Sequence, residues 1–208
     1  QQAQAPAGGG SATLWIDGAS VGVIDSINEY PHLIRSFLLG SLDGGKSNTS
    51  GTIYFDGFIA QPSGYIGLEP GAPEPPLPPD RVDLIFSDGF EDGTFDAWSQ
   101  SGTDEGDLSV SSQSSMIGSY GLQATIDDNN QLFLTDWSPD HDTTYFARFY
   151  FDPNSIEMGN DNTFSLLELQ DQDFQTQALL NFGYNYGDYW VQLEMFNDQV
   201  WSNASLRV

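Results

Sequence analysis

Hydrophobic and polar residues alternate with a period of two along much of the chain. The alternation is clearest in segments 53–59, 122–126, 145–151 and 189–196. A period of two places successive side chains on opposite sides of a β-strand, and no segment shows the sustained period of a helix. Runs rich in Gly, Asn and Asp separate the segments and are typical of turns. The pattern predicts an all-β protein, an antiparallel β-sandwich of two sheets packed face to face.

The alternation also predicts which side chains share a face. One face of segment 53–59 should carry Ile53, Phe55 and Ile59, and the opposite face Tyr54, Asp56 and Phe58. One face of segment 122–126 should carry Leu122, Ala124 and Ile126. In segment 189–196, the set Tyr189, Val191, Leu193 and Met195 should oppose Trp190, Gln192, Glu194 and Phe196.

The order of the segments is unusual. Residues 1–68 have the character of the closing strands of a β-sandwich, and residues 84–208 have the character of its opening strands. Between them lies a Pro-rich linker, residues 69–83. A half-module exposes unpaired strand edges and half a core, so each part needs a complement.

A family resemblance supports this division. The segments LWIDG and SGTIYFDGFIAQPSGYIG resemble the closing part of a concanavalin A-like, laminin-G-like jelly roll of secreted bacterial proteins. The segments FSDGFEDGTFDAWS, GSYGLQATIDDNNQLFLTD and YFARFYFDPNSIEM resemble its opening part. The resemblance implies that first and last strands are neighbours, which would place the FSDGFEDG strand beside the GTIYFDGF strand. The chain departs from the family in order, since its closing strands come first.

Three arrangements would complete such a fold. The chain could close on itself as a circular permutant, one copy could complete the next, or the chain could be a stretch of a longer repeat protein. An extended polyproline segment rises about 3.1 Å per residue, so the linker could span roughly 35 Å. A tight self-closing turn needs no such spacer, which favours the second and third arrangements. Head-to-tail completion does not close and generates a filament.

Composition narrows the partners. Asp and Glu total 30 against 5 Lys and Arg, a net charge of −25 that disfavours nucleic acid and anionic membrane surfaces. No apolar run is long enough for membrane insertion, and the first ten residues lack the pattern of a signal peptide. The absence of cysteine excludes disulfides and thiolate metal sites. We expect an exported, extracellular or cell-surface protein, with adaptation to salt as the alternative.

Acidic residues beside Gly turns suggest a metal. Asp88, Glu91 and Asp92 lie in the segment SDGFEDG, and Asp56 would lie near them if the terminal strands pair. Calcium takes six to eight oxygen ligands of this kind, so the sequence predicts a structural calcium site. The alternative is that these are solvated turn residues. A second acidic run, residues 127–130, is interpreted as a turn.

Catalytic signatures are weak. Glu168, Asp171 and Asp173 partly match the two-carboxylate pattern of glucanases, but glutamines stand where the second and third acids belong. His32 and His141 have no nucleophile motif beside them. The sequence therefore predicts that the protein is not an enzyme.

Aromatic residues offer a binding surface. Sugars stack on aromatic rings, and Trp98, Trp137, Trp190 and Trp201 are candidates, although most are expected in the core. The predicted contact residues for a glycan or a protein neighbour are Tyr184, Tyr186, Tyr189 and Trp190. Asn48 and Asn203 begin formal glycosylation triplets, which predict loops more safely than glycans.

The sequence thus predicts a structural or adhesive building block of an extracellular filament or surface array. Its partners would be copies of itself or neighbouring repeats. The alternative is a non-catalytic carbohydrate-binding module of a larger secreted protein.

Overall fold

The structure, a computed structural model, describes residues 10–27, 33–43, 48–62, 66–67, 84–139, 144–197 and 200–207. The described residues form fifteen strands: β1 Gly10–Ile16, β2 Ala19–Ile27, β3 Ser36–Ser41, β4 Thr49–Gln61, β5 Phe86–Asp88, β6 Gln100–Gly102, β7 Leu108–Ser111, β8 Gly121–Ile126, β9 Leu132–Asp136, β10 Phe146–Asp152, β11 Glu157–Met158, β12 Asn162–Gln170, β13 Thr176–Asn185, β14 Asp188–Asn197 and β15 Val200–Arg207. Their one helical element is a single 3₁₀ turn, Asp104–Gly106. The all-β prediction is confirmed.

Two antiparallel sheets form the sandwich. The larger has seven strands in the order β15-β14-β13-β12-β3-β9-β6. The smaller has six, with the path β10-β4-β8-β7 and with β5 and β11 paired to β4. Strands β1 and β2 form a separate hairpin that packs on β15, where a Cβ built on Gly22 would lie 2.7 Å from that of Ala204.

Strands β3 and β4, from the part predicted to close the module, are interior strands of the two sheets. Strand β3 lies between β12 and β9, and β4 lies between β10 and β8. Strand β4 also pairs antiparallel with β5, with Phe58 opposite Asp88 and Ala60 opposite Phe86. This is the neighbour relation that the family resemblance implies. The two parts of the chain therefore share one sandwich, and the linker predicted at 69–83 lies outside the described residues.

One predicted face is wrong beyond Gly57. Ile53 and Phe55 lie on one fully buried face, as their predicted pairing requires, but Phe58 is also buried at 1% exposure, whereas Ile59 is half-buried. The pairing with β10 explains this: Asp56 lies opposite Tyr150 and Ile59 opposite Arg148, so β4 has one extra residue, a β-bulge. Gly57 has φ +56°, a left-handed conformation. The extra residue moves the side chains after it to the other face.

Aromatic rings from both parts fill the core. Phe37 of β3 stacks on Phe58 of β4 with ring centroids 4.8 Å apart, and Trp98 meets Phe37 edge-on at 5.6 Å. Phe55 contacts Phe149 of β10, with ring centroids 6.0 Å apart. The face predicted for segment 122–126 is confirmed, because Leu122, Ala124 and Ile126 are all buried. Tyr189 and Val191, predicted to share a face, both pack against the core.

Candidate functional site

Asp56 is a buried carboxylate at the bulge of β4. Its side chain is 1% exposed and lies beneath the connection between β7 and β8, residues 112–120, which we call the 112–120 loop. Asp56 Oδ2 accepts hydrogen bonds from the backbone N–H groups of Met116, at 2.8 Å, and Ile117, at 2.7 Å, and Oδ1 accepts one from Gly57 at 2.6 Å. Burial raises the pKa of Asp56 above its usual value, and the three N–H donors oppose that shift.

Asp88 lies across from Phe58 at the end of β5. Its Oδ1 accepts from the Phe90 N–H at 2.7 Å and its Oδ2 from the Trp98 Nε1–H at 2.8 Å. Burial raises the pKa of Asp88, the two hydrogen bonds oppose the shift, and the negative charges of Asp92 and Asp56 add to it. Asp88 thereby positions the core indole of Trp98.

Glu91 is an exposed carboxylate that holds the other end of the 112–120 loop. Both of its oxygens lie 2.9 Å from the Ser119 N, and Oε1 also accepts from the Tyr120 N–H at 3.1 Å. These hydrogen bonds lower the pKa of Glu91. A Cβ built on Gly118, which has φ +74°, would lie 2.4 Å from Glu91 Oε1, so the loop approaches the carboxylate as only glycine allows.

The structure brings each of the four predicted calcium ligands into electrostatic contact with another of the set. In addition to burial, the charge of Glu91 raises the pKa of Asp56, and the charges of Asp92 and Asp56 raise the pKa of Asp88. Asp92 also accepts from the Thr94 N–H at 2.8 Å within its own turn. Each carboxylate oxygen has two lone pairs, so calcium would have to share these oxygens with the N–H donors already bound to them.

A different acidic group meets the geometry of a cation site more closely. Among the described residues, Asp104, Asp127 and Asp128 form a group in which one carboxylate oxygen from each lies within 4.8 Å of the other two. Asn130 Nδ2 donates to Asp104 Oδ1, at 3.0 Å, and to Asp128 Oδ2, at 2.8 Å. Residues 127–129 form a bend, as the turn interpretation expects. Sequence reasoning missed Asp104 because it lies more than twenty residues earlier.

The predicted aromatic contact residues separate onto different surfaces. Tyr184 and Tyr189 pack against the core, and the Tyr189 hydroxyl donates to the Ile156 carbonyl at 2.9 Å. Tyr186, in the β13–β14 turn, is 84% exposed. Trp190 lies on the outer face of the seven-stranded sheet, over Gly183, where an added Cβ would lie 2.2 Å from the indole. Tyr186 and Trp190 therefore lie away from the core, whereas Tyr184 and Tyr189 are partly exposed beside it.

Trp190 borders a groove on that outer face. The groove has a volume of about 230 Å³ and is lined by Asn185, Asp188, Trp190, Gln192, Ser205 and Leu206. One aromatic plane with amide, carboxylate and hydroxyl groups is the combination that binds sugars. The volume is below the roughly 300–1,000 Å³ of typical sites for drug-sized ligands, so the groove suits a small unit.

The residues weighed for catalysis have local hydrogen-bond partners. Glu168 Oε1 accepts from Gln170 Nε2 at 3.1 Å and from the Thr176 hydroxyl at 2.5 Å. Asp171 Oδ1 accepts from the Asp173 N–H in the β12–β13 turn, at 2.9 Å. Asp171 and Asp173 therefore shape a turn rather than continue β12.

The remaining sequence candidates lie elsewhere. Both sequon asparagines are exposed: Asn48 precedes β4, and Asn203 lies on the edge strand β15 rather than in the loop that its triplet predicts. Trp137 is 52% exposed, whereas Trp98 is buried. His32 and His141 lie outside the described residues, and so does the side chain of Trp201.

Fold and site together define the class: an antiparallel β-sandwich whose sheets are compatible with a jelly roll. Within the described residues, no helix is long and apolar enough to cross a membrane. No family model matches the chain, and searches of curated proteins and of solved structures give no significant match.

Proposed function

We propose that the chain is a structural or adhesive building block of an extracellular filament or surface array, built on a concanavalin A-like jelly roll. In the assembled state, residues 33–61 of one copy, here called the donor segment, complete residues 84–207 of the next, the acceptor part. One observation carries the proposal: the donor segment supplies an interior strand to each sheet, β3 between β12 and β9 and β4 between β10 and β8. All other strands of these two sheets belong to the acceptor part.

The donor segment contributes a large share of the core. Five large donor side chains are no more than 1% exposed: Phe37, Leu39, Ile53, Phe55 and Phe58. Burying one such side chain contributes about 1.5–3 kcal/mol, so together they contribute on the order of 10 kcal/mol. That equals the net stability of a typical domain, about 5–15 kcal/mol. The acceptor part should therefore depend on a donor, from its own chain or from another.

Polar contacts fix how the donor is seated. Ser165 of β12 donates to Asp43 Oδ2 through its N–H, at 3.0 Å, and through its hydroxyl, at 2.9 Å. The Ser36 hydroxyl donates to Gln170 Oε1 at 3.1 Å. Hydrogen bonds to a charged acceptor are the stronger kind, so Asp43 anchors the start of the donor connection between β3 and β4.

The connection between Ala60 of β4 and Phe86 of β5, residues 61–85, here called the joint, is longer than the local geometry requires. Ala60 and Phe86 are directly paired, and antiparallel neighbours can be joined by a loop of about two to five residues. Instead, the whole of residues 61–85 intervenes, and six of the twelve residues 69–80 are proline. A long, proline-rich joint can reach a neighbouring copy, which supports exchange of the donor between chains.

The acidic composition supports the remaining parts of the proposal, an extracellular location and a structural calcium ion bound by Asp56, Asp88, Glu91 and Asp92. The absence of cysteine and of a nucleophile motif supports a non-catalytic role. Calcium would reinforce the junction where β4 meets β5, since two of these carboxylates belong to those strands.

A disulfide cross-link tests the exchange directly, because the natural chain has no cysteine. Ile59 of β4 and Ser87 of β5 are cross-strand neighbours, so Ile59→Cys with Ser87→Cys should form a disulfide after oxidation. If donors are exchanged, each disulfide joins two chains, and non-reducing electrophoresis shows a ladder of covalent oligomers. A cross-linked monomer at every protein concentration would instead establish self-closure and refute the filament.

The control pair lies wholly within the acceptor part. Ser109 of β7 pairs with Gln123 of β8, so Ser109→Cys with Gln123→Cys should give only an intrachain disulfide. A ladder from this control pair would show random intermolecular oxidation and invalidate the result from the first pair.

The groove beside Trp190 favours a second candidate function, non-catalytic carbohydrate binding. Its lining combines an indole with the side chains of Asn185, Gln192 and Ser205. In a glycan array with the full chain, Trp190→Ala should abolish binding, while Trp137→Ala should retain it because Trp137 is exposed outside the groove. Equal binding by the two variants would remove the groove from consideration.

A further inference from the structure

We propose that the 112–120 loop is a latch that must open before the donor segment can enter or leave the sandwich. The inference rests on the proposed function for what passes the latch, but the latch itself is a property of a single folded chain. It is argued from where the loop contacts β4 and from what holds each end of it.

The loop covers a gap in the pairing of β4. Along one edge, β4 pairs with β8 through residues 51–55 and with β5 through residues 58–60. Residues 56–57 lie between these two ladders. There the backbone N–H groups of Met116 and Ile117 bind the Asp56 carboxylate. The loop therefore bridges β8 and β5 at the one point where neither strand reaches β4.

The loop also lies over the outer side of the donor. A Cβ built on Gly57 would be 3.4 Å from Ile117 Cδ1, so the Ile117 side chain rests on the bulge. The cover leaves Asp56 1% exposed. Both hydrogen bonds to Asp56 Oδ2 must therefore break before β4 can withdraw.

The acceptor part holds the far end of the loop. Glu91 accepts from the N–H groups of Ser119 and Tyr120, so the residues on either side of Gly118 bind two different carboxylates. One carboxylate, Asp56, belongs to the donor, and the other, Glu91, belongs to the acceptor. Release of the Glu91 end would free the tip of the loop without removing any donor contact.

The base of the loop is separately fixed. The buried Ser114 hydroxyl lies 2.9 Å from the Ser111 carbonyl and 2.7 Å from the Gly121 carbonyl. It therefore connects the end of β7 to the start of β8. The base can therefore keep its structure while the tip, residues 116–120, moves away from the two carboxylates.

Hydrogen–deuterium exchange of the full chain tests the latch. Glu91→Gln weakens the acceptor end of the loop without touching the donor. Peptides covering residues 112–120 and residues 49–61 should both exchange roughly three- to tenfold faster in this variant, because a charge-assisted hydrogen bond at an exposed site is weakened. Asp173→Asn, an equal loss of charge at an exposed turn, should change neither peptide.

Gly118→Ala is the second variant, because its Cβ would displace the exposed Glu91 carboxylate from the N–H groups of the loop. The latch is refuted if either variant accelerates exchange in residues 112–120 while residues 49–61 keep wild-type protection. It is also refuted if Glu91→Gln leaves the loop itself unchanged. These readouts need no exchange between chains, so they remain decisive even if the disulfide between positions 59 and 87 is found only in monomers.

Discussion

The bulge at Gly57 gives the most discriminating test of how β4 is built. Gly57→Ala forces an L-residue into a left-handed conformation, φ +56°, which costs about 1–2 kcal/mol. The new Cβ would also lie 3.0 Å from Tyr150 Cδ2 and 3.2 Å from Cε2, so the ring edge must move. Overpacking of this kind costs about 1–3 kcal/mol, which brings the total to about 2–5 kcal/mol.

Gly93→Ala is the matched control. Gly93 has φ +79°, but a Cβ there would have nothing within 4 Å, so only the conformational cost of about 1–2 kcal/mol remains. Urea unfolding of both variants, with unchanged m-values, measures the difference. At about 2–4 °C per kcal/mol for a chain of this size, melting temperatures should separate by several degrees. Equal destabilisation of the two variants would refute the crowding at the bulge.

Three further predictions address the core, the carboxylates and calcium. Phe58→Ala should lower the free energy of unfolding, measured in urea, by about 3–5 kcal/mol, and Ile59→Ala by about 1 kcal/mol. The reverse order would show that β4 has no bulge and that Ile59 is the buried residue. The folded-state pKa values of Asp56 and Asp88 are raised, so their ionisation opposes folding at neutral pH, and stability should rise as pH falls through those values. The pKa of Glu91 is lowered, so the stability it contributes is lost only at lower pH. The melting temperature should therefore rise as pH falls from neutral through the raised pKa values of Asp56 and Asp88, less so in Asp56→Asn, and a fall over that range in the natural chain would contradict the assignment. Calcium should raise the melting temperature of the natural chain more than that of Glu91→Gln, and equal shifts would exclude Glu91 as a ligand.

Much of the fold follows from local pattern. The alternation that makes Leu122, Ala124 and Ile126 a buried face is complete within six residues, so the sequence contains all the information required. Gly57 shows where this ends. Glycine in a strand permits a bulge but does not require one. The alternation of hydrophobic and polar residues therefore does not reveal the extra residue that turns Phe58 inward.

The candidate site depends on contacts that sequence spacing does not encode. The approach of Asp56 to Glu91 follows from the pairing of β4 with β5, which the family resemblance implied. Their partners could not be predicted in the same way, because both carboxylates bind backbone N–H groups of the 112–120 loop. A backbone donor leaves no residue-specific signal. The same limit explains why Asp104 was not connected with Asp127.

The contacts within the sandwich are the same whether donor and acceptor belong to one chain or to two, so the joint decides between these states. If it were fully flexible, its roughly 25 residues would span about 25–30 Å on average, and self-closure would have an effective concentration in the millimolar range. Proline stiffens and extends such a segment, which lowers the effective concentration at the chain's own acceptor. Exchange of the donor segment between chains should then predominate over self-closure where copies are crowded, as on a surface or in a growing filament. Dilute chains should close on themselves. The proportion of interchain cross-links, measured across protein concentration, therefore reports the stiffness of the joint rather than the quality of the core.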